Sequence, residues 1–336
     1  MLKKSTEIQL LAFLTAVVVA FLSYLNVVSP GVEGGMDSYN HYLIAKNSWQ
    51  NPTLLLDYWG KPIYNILASP FAQFGLNGLF ILNVLCLVGC AVLSYKIAKI
   101  LNLKHNYLAY ILTLLSPIFL DNTISGLTEP LCAILVLLCI FLLVQENYSA
   151  GALIAGFLPF ARSEGFVVLG VVIVFILWKA PKIKNLISLA VGPLIFNIIG
   201  WIITRQPFWI ITENPYINFE LSGNNICGSG GLFHYVWAGH YTFGLLTNVL
   251  LVIAGVILLL KVVKNGFKQN ANLALIFAVF AAYFAAHSFI WWQGMMGSCG
   301  YIRVMVVIAP LGAIIANFAI SELYIKVWFK KLDKNL

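Results

Sequence analysis

Asp37 stands in Gly34-Gly35-Met36-Asp37-Ser38-Tyr39-Asn40, just after a long apolar run and at the start of a segment that reads as helix. A carboxylate here has two readings. It accepts backbone donors at a helix start, as Asp and Ser do at N-caps. Alternatively it takes a proton from a reacting hydroxyl or amine, because a carboxylate partly withdrawn from water holds a proton more readily. The cations on its side of the chain, in the topology derived below, are Lys46, Lys61, Arg162, Arg205 and Arg303. Such cations either stabilise negative charge growing on a leaving group or reach from helix ends to the membrane surface. Glu129 in Thr128-Glu129-Pro130 and Glu164 in Arg162-Ser163-Glu164-Gly165 either orient a substrate and these arginines, or sit where the helix macrodipole favours an acid.

The elements that hold these residues are membrane helices. With 61% hydrophobic and 10% charged residues among 336, and a mean hydropathy of +0.90, there are too few polar groups to cover a soluble globule. Apolar runs of about 20 residues match a bilayer core of roughly 30 Å, whereas barrel strands would alternate with a period of two. The fold class expected is all-α, a polytopic bundle of about ten spans, near 8–28, 79–98, 106–120, 130–144, 150–161, 165–178, 186–204, 241–260, 272–290 and 303–320. The fifth is short and bent at Pro159, which is tolerated inside a bundle. Residues 1–28 lack a small-x-small cleavage site, so they read as an uncleaved first span and not as a signal peptide.

With the N-terminus inside, fifteen of the 20 Lys+Arg fall on one side: Lys3, Lys4, Lys96, Lys99, Lys104, Lys179, Lys182, Lys184, Lys261, Lys264, Lys268, Lys326, Lys330, Lys331 and Lys334. Eight of the 12 acids fall on the other: Glu33, Asp37, Asp57, Asp121, Glu129, Glu164, Glu213 and Glu220. Positive loops are retained in the cytoplasm and acids contribute little to topology. Both termini are therefore expected inside, and a reaction centre on the outer face accounts for the acids. The net charge of +8 is the sum of these loop lysines, whose partner is anionic lipid and not nucleic acid.

Three outer segments frame the candidate residues. In the first, 29–78, Ser38 to Trp49 and Pro62 to Phe74 read as amphipathic helices in the interface plane; a crossing through 62–78 is the alternative, and it would invert every later loop. The second, 205–240, is rich in aromatics, Asn and Gly, and the third, 291–302, holds Trp292 and Tyr301. Aromatics here either anchor at the interface or form a carbohydrate surface. Four of the six cysteines lie in apolar segments, while Cys227 and Cys299 fall in outer loops, where an oxidising compartment would let them pair. Glu33, Asp37 and His41 have a metal-like spacing that Gly34-Gly35 interrupts, and His234 and His240 lack ligand neighbours. Gly228 to Gly231 has no Lys-Ser/Thr after it and is no phosphate loop. There is no internal repeat and no separate soluble domain; the chain divides into 1–204 with the first outer loop, and 205–336 with the second outer loop and three more spans.

An acid soon after span one, the Gly60-Lys61-Pro62-Ile63-Tyr64-Asn65 segment, the Glu129-Pro130 pair, Arg162-Ser163-Glu164-Gly165 and Gly300-Tyr301-Ile302-Arg303 together resemble the C-type glycosyltransferases. These integral-membrane enzymes include the protein O-mannosyltransferases and the lipid A aminoarabinose transferase. The resemblance covers most of 1–204 and the end of the chain. It implies a polyprenyl-phosphate-linked sugar as donor, a glycan, lipid or protein acceptor outside the cytoplasm, and an inverting single displacement. By it Asp37 is the general base. Arg303 and Arg162 are the first choices for the donor phosphate, with Lys61 beside them, and Glu129, Glu164, Asp57, Tyr39, His41, Trp292 and Tyr301 bind or orient the sugar or acceptor. Relatives often have an acid directly before the Lys-Pro pair, where this chain has Gly60; Asp57 is the nearest substitute. Phosphate is already a competent leaving group, so no paired general acid is required; no cofactor is expected, the metal-independent reading being favoured with a divalent metal as the alternative. Two other classes remain open: a transporter or flippase, which would need ionisable residues along a path to the other face, and a non-enzymatic subunit that kept the fold.

Overall fold

Apolar runs in a bilayer must pair their backbone groups internally, and helices do this within one segment. The computed structural model describes residues 4–28, 34–221 and 227–332, and every regular element among them is helical. Helix α1 (Lys4–Val28) is followed by α2 (Gly35–Asn47), α3 (Pro62–Ala72), α4 (Leu76–Ile100), α5 (Tyr107–Leu114), α6 (Pro117–Thr123), α7 (Glu129–Val144), α8 (Tyr148–Ala161), α9 (Gly165–Lys179) and α10 (Ile183–Thr204). Four short helices, α11 (Trp209–Thr212), α12 (Pro215–Leu221), α13 (His234–Trp237) and α14 (Gly239–Thr242), lead to α15 (Leu245–Asn265) and α16 (Ala271–Gln293). A 3-10 stretch, Ile302–Ile308, then enters α17 (Ala309–Leu332).

Among the described residues, 6 helical segments are long and apolar enough to cross a membrane: Ser5–Val28, Leu76–Ile100, Ile183–Thr204, Leu245–Asn265, Lys268–Gln293 and Ile302–Tyr324. The chain is an integral membrane protein. Helices α7, α8 and α9, of 16, 14 and 15 residues, are apolar but fall short of a core of roughly 30 Å at about 1.5 Å per residue. The run 106–120, expected as one span, is broken into α5 and α6. Ser116 is extended, at φ −62° and ψ 119°, because the proline ring of Pro117 disfavours helical backbone in the residue before it.

The span at the end of the chain is central, with 89% of its apolar window buried, whereas those of α1, α10 and α15 are 17–22% buried and turn Phe13, Ile198 and Val252 outward. Helices α8 and α10 cross closely: a Cβ on Gly192 would run into the Gly156 carbonyl, and one on Gly156 into that of Leu189. Small residues are what let membrane helices approach this far. Helices α2 and α3, expected as amphipathic helices, pack one face against α4 and leave Met36, Tyr39, Ile66 and Leu67 exposed. Tyr42, Ala45, Tyr64, Ala68 and Ala72 form a buried cluster with Leu79 and Leu82 of α4.

Candidate active site

At one end of the bundle a cavity of about 810 Å³ opens between α2, the start of α7, the α8–α9 turn, the end of α16 and the segment 296–303. Glycines set several of its walls. Gly34, at φ +89°, starts α2 where a Cβ would meet Ser38 and Leu127, and so brings Asp37 to the cavity in the first turn. Asp37 is the third residue of α2 and is not its N-cap; that position is Gly34. Gly165 begins α9 with its Cα against the Leu158 backbone, where no Cβ fits, which folds Arg162 and Glu164 into the cavity.

These elements join five of the expected residues in one chain of charges. Arg303 is paired with Asp37 through Nη2 and Oδ2, and its Nε lies 3.6 Å from Glu129 Oε1. Glu129, the first residue of α7 and 2% exposed at its side chain, also takes Arg162 Nη1 at 2.9 Å. Arg162 donates further to Thr128 Oγ1 at 2.7 Å and to Glu164 Oε1 at 2.8 Å. Burial works against the Arg162 charge, but Glu129 and Glu164 hold its proton affinity well above the usual guanidinium range. Burial likewise pushes the Glu164 carboxyl upward, and the Arg162 guanidinium outweighs it, holding the group down at about 2. His287 Nε2 lies 3.8 Å from Glu164 Oε1, beyond hydrogen-bond reach.

Lys61 enters from the other wall. It is 2% exposed, sits at φ +69°, donates to the Tyr216 hydroxyl at 2.8 Å and rests 4.4 Å from that ring's centroid. Among the described residues no carboxylate lies within ion-pair distance of it. His41, one turn beyond Asp37, stacks on Trp59 at 4.6 Å. Burial first, and then the charges of Lys61, Arg162 and Arg303, hold its imidazole well below the usual histidine range, so it is neutral. Tyr301 lies under Arg303, with the guanidinium carbon 4.4 Å from its ring centroid. Three acids thus face three cations across walls that are otherwise mainly apolar, among them Phe166, Val167, Ile210, Ile217 and Ile290. Lys61 is the cation not already answered by a carboxylate.

Asp37, His41, Lys61, Glu129, Arg162, Glu164, Tyr301 and Arg303 all line this cavity. Asp57, Tyr39 and Trp292 do not. Asp57 Oδ1 accepts the Gly60 backbone N–H at 2.6 Å, so it shapes the turn and does not fill the place of the acid before Lys61. Tyr39 tilts against Tyr42, and Trp292 meets Phe289 edge to face, and both Tyr39 and Trp292 are exposed. Arg162, a first choice for a phosphate, has Nη1 and Nη2 committed to Glu129, Thr128 and Glu164, and its Nε is buried without a partner. The sequence assigns no role to His287, Trp59, Thr128 or Asn214, and marks Tyr216 only as one aromatic of the stretch 205–240; all five line the cavity. His287 carried a usable signal, an ionisable side chain inside an apolar run; Tyr216 had none beyond its aromatic surroundings.

Cys227 and Cys299 form a disulfide with Cα atoms 5.0 Å apart. The His234 ring nitrogen Nε2 bonds the Gly300 carbonyl at 2.8 Å, and Gly230 N–H donates to the Trp291 carbonyl, so the segment before α14 is clasped to the one after α16. His240 contacts its own turn at the Trp237 carbonyl. No group of three His, Cys, Asp or Glu side chains converges among the described residues, and Glu33 lies outside them.

No protein-family model matches the sequence, and no curated protein matches it. Among solved structures the chain is similar to the crystal structure of ArnT from Cupriavidus metallidurans bound to undecaprenyl phosphate. The TM-score is 0.72 over 99% of this chain at 13% identity, and the chain spans 63% of that protein's length. The chain therefore shares the fold of that structure, an all-α membrane bundle as its sequence leads one to expect.

Proposed function

We propose that the protein is a membrane glycosyltransferase that moves a sugar from a polyprenyl-phosphate-linked donor to an acceptor on the non-cytoplasmic face. The observation that carries this reading is the juxtaposition in one apolar-walled cavity of the Asp37 carboxylate with Lys61 and Arg303, in a fold shared with a protein that binds undecaprenyl phosphate. The acceptor hydroxyl or amine attacks the anomeric carbon from the side opposite the phosphate. Its proton passes to Asp37 as the carbon–oxygen bond to phosphate breaks, and the configuration inverts. The departing polyprenyl phosphate keeps the electron pair. Lys61 and Arg303 meet the charge that grows there, where fixed donors in a dry site act most strongly. Glu129 holds Arg303 and Arg162 in register, and the stacked pair of His41 and Trp59 offers a flat surface to the sugar ring.

Sidedness rests on two supports. Loop lysines gather at the end of the bundle away from the cavity, as cytoplasmic loops do. The Cys227–Cys299 disulfide beside the cavity belongs in an oxidising compartment. Incubating the reconstituted protein with a panel of polyprenyl-monophosphate sugars and following sugar release or transfer tests the reading. Consumption of one donor supports it, whereas passage of lipid or solute across the bilayer with no donor consumed supports a transporter instead.

A further inference from the structure

At the opposite end of the bundle a second cavity, of about 290 Å³, lies where the loops after α4, α7, α9 and α15 meet α17. Three lysines from different elements line it: Lys179 at the end of α9, Lys261 near the end of α15 and Lys268 just before α16. The first residues of α16, Ala271 to Leu273, form part of its wall. Two carboxylates share the cavity. Glu322 is bonded to Lys261 at 2.7 Å, which leaves Glu146, among the described residues of the lining, as the other acid beside Lys179 and Lys268. The lining therefore carries three positive and two negative charges, an excess of one.

The surroundings place this cavity at a membrane surface. Trp178 and Phe267, each adjacent in sequence to one of the two lysines, pack edge to face at 5.1 Å, so both lysines of this lining flank one aromatic pair. Both rings are exposed, as are Leu177, Leu260 and Val263 below them. Aromatics at this level mark the headgroup region, and basic pockets between membrane helices take anionic headgroups.

We propose that this cavity is a binding site for an anionic phospholipid, its singly charged phosphodiester held between Lys179 and Lys268 and its chains lying over Trp178 and Phe267. The single excess charge fits a phosphodiester better than a doubly charged phosphomonoester. The site is separate from the one that lines Asp37 and stands whether or not that site transfers sugar.

The test is native mass spectrometry of the 336-residue chain released from mixed vesicles of phosphatidylglycerol and phosphatidylcholine. The wild type should retain phosphatidylglycerol over phosphatidylcholine about 30-fold, from two lysines near a surface at about 1 kcal/mol each. Lys179→Gln with Lys268→Gln should bring the ratio to parity, and Glu146→Gln should raise it. Because the two changes push in opposite directions, poor folding of one variant does not imitate the result. Parity in the wild type, an unchanged ratio in the double variant, or equal retention of soluble glycerol 3-phosphate would overturn the proposal.

Discussion

Arg303 is paired with Asp37 and leans toward Glu129, and Glu129 in turn holds Arg162. Removing one member of so buried a set leaves its partner uncompensated. Arg162→Ala should destabilise the protein by about 3–5 kcal/mol, measured by unfolding in detergent, and adding Glu129→Gln should recover part of the loss; a double variant no better than the single would refute the coupling. Lys61 has no such obligation, and Lys61→Gln should leave stability nearly unchanged while lowering kcat/KM for the donor by about 10²–10³. The neutral, buried His41 and the depressed Glu164 also make stability depend on pH. Below about 6.5 the unfolded chain protonates His41 and the native state does not, so stability falls with pH there. A second loss follows as pH drops from 4.5 toward about 2 and Glu164 is protonated. Unfolding midpoints across this range should lose the upper step in His41→Gln and the lower in Glu164→Gln. Residue types and order marked the candidates in the sequence, but the pairing of Asp37 with Arg303 across 266 positions could not be read there. Tyr39 and Trp292 looked equivalent to His41 and Tyr301 until side-chain direction separated them.

Helices were legible where apolar length and lysine punctuation agreed, as in α4, α10 and α16. The break between α5 and α6 was hidden because hydropathy runs unbroken through Leu114 and Leu115, while the backbone effect of one proline, Pro117, decides the geometry. The packing of α2 and α3 against α4 was hidden too, since Ala45, Ala68 and Ala72 look neutral in a hydropathy reading. The α8–α9 turn gives an element-level test. Gly165→Ala places a Cβ against the Leu158 backbone, and should cost about 1–3 kcal/mol by overpacking and displace Arg162 and Glu164. Gly170→Ala on the same helix meets nothing within 4 Å and should be neutral. Equal midpoints for the two variants would show that the turn does not depend on the close approach.

For the whole molecule, the arrangement proposed from charge sorting and from the Cys227–Cys299 disulfide has the Asp37 cavity outside and the lysine-lined end inside. A membrane-impermeant amine reagent should therefore reach Lys182 and Lys268 only from the cytoplasmic side; labelling of either from outside would invert the topology. The central claim is that Asp37 takes the acceptor proton while a polyprenyl phosphate departs. Its most direct measurement is sugar transfer or release by the protein in liposomes with polyprenyl-monophosphate sugars, wild type beside Asp37→Asn, with donor binding followed in parallel. The expectation is turnover by the wild type and a loss of about 10²–10⁴-fold in the variant, with donor still bound. Turnover unchanged in Asp37→Asn would contradict it.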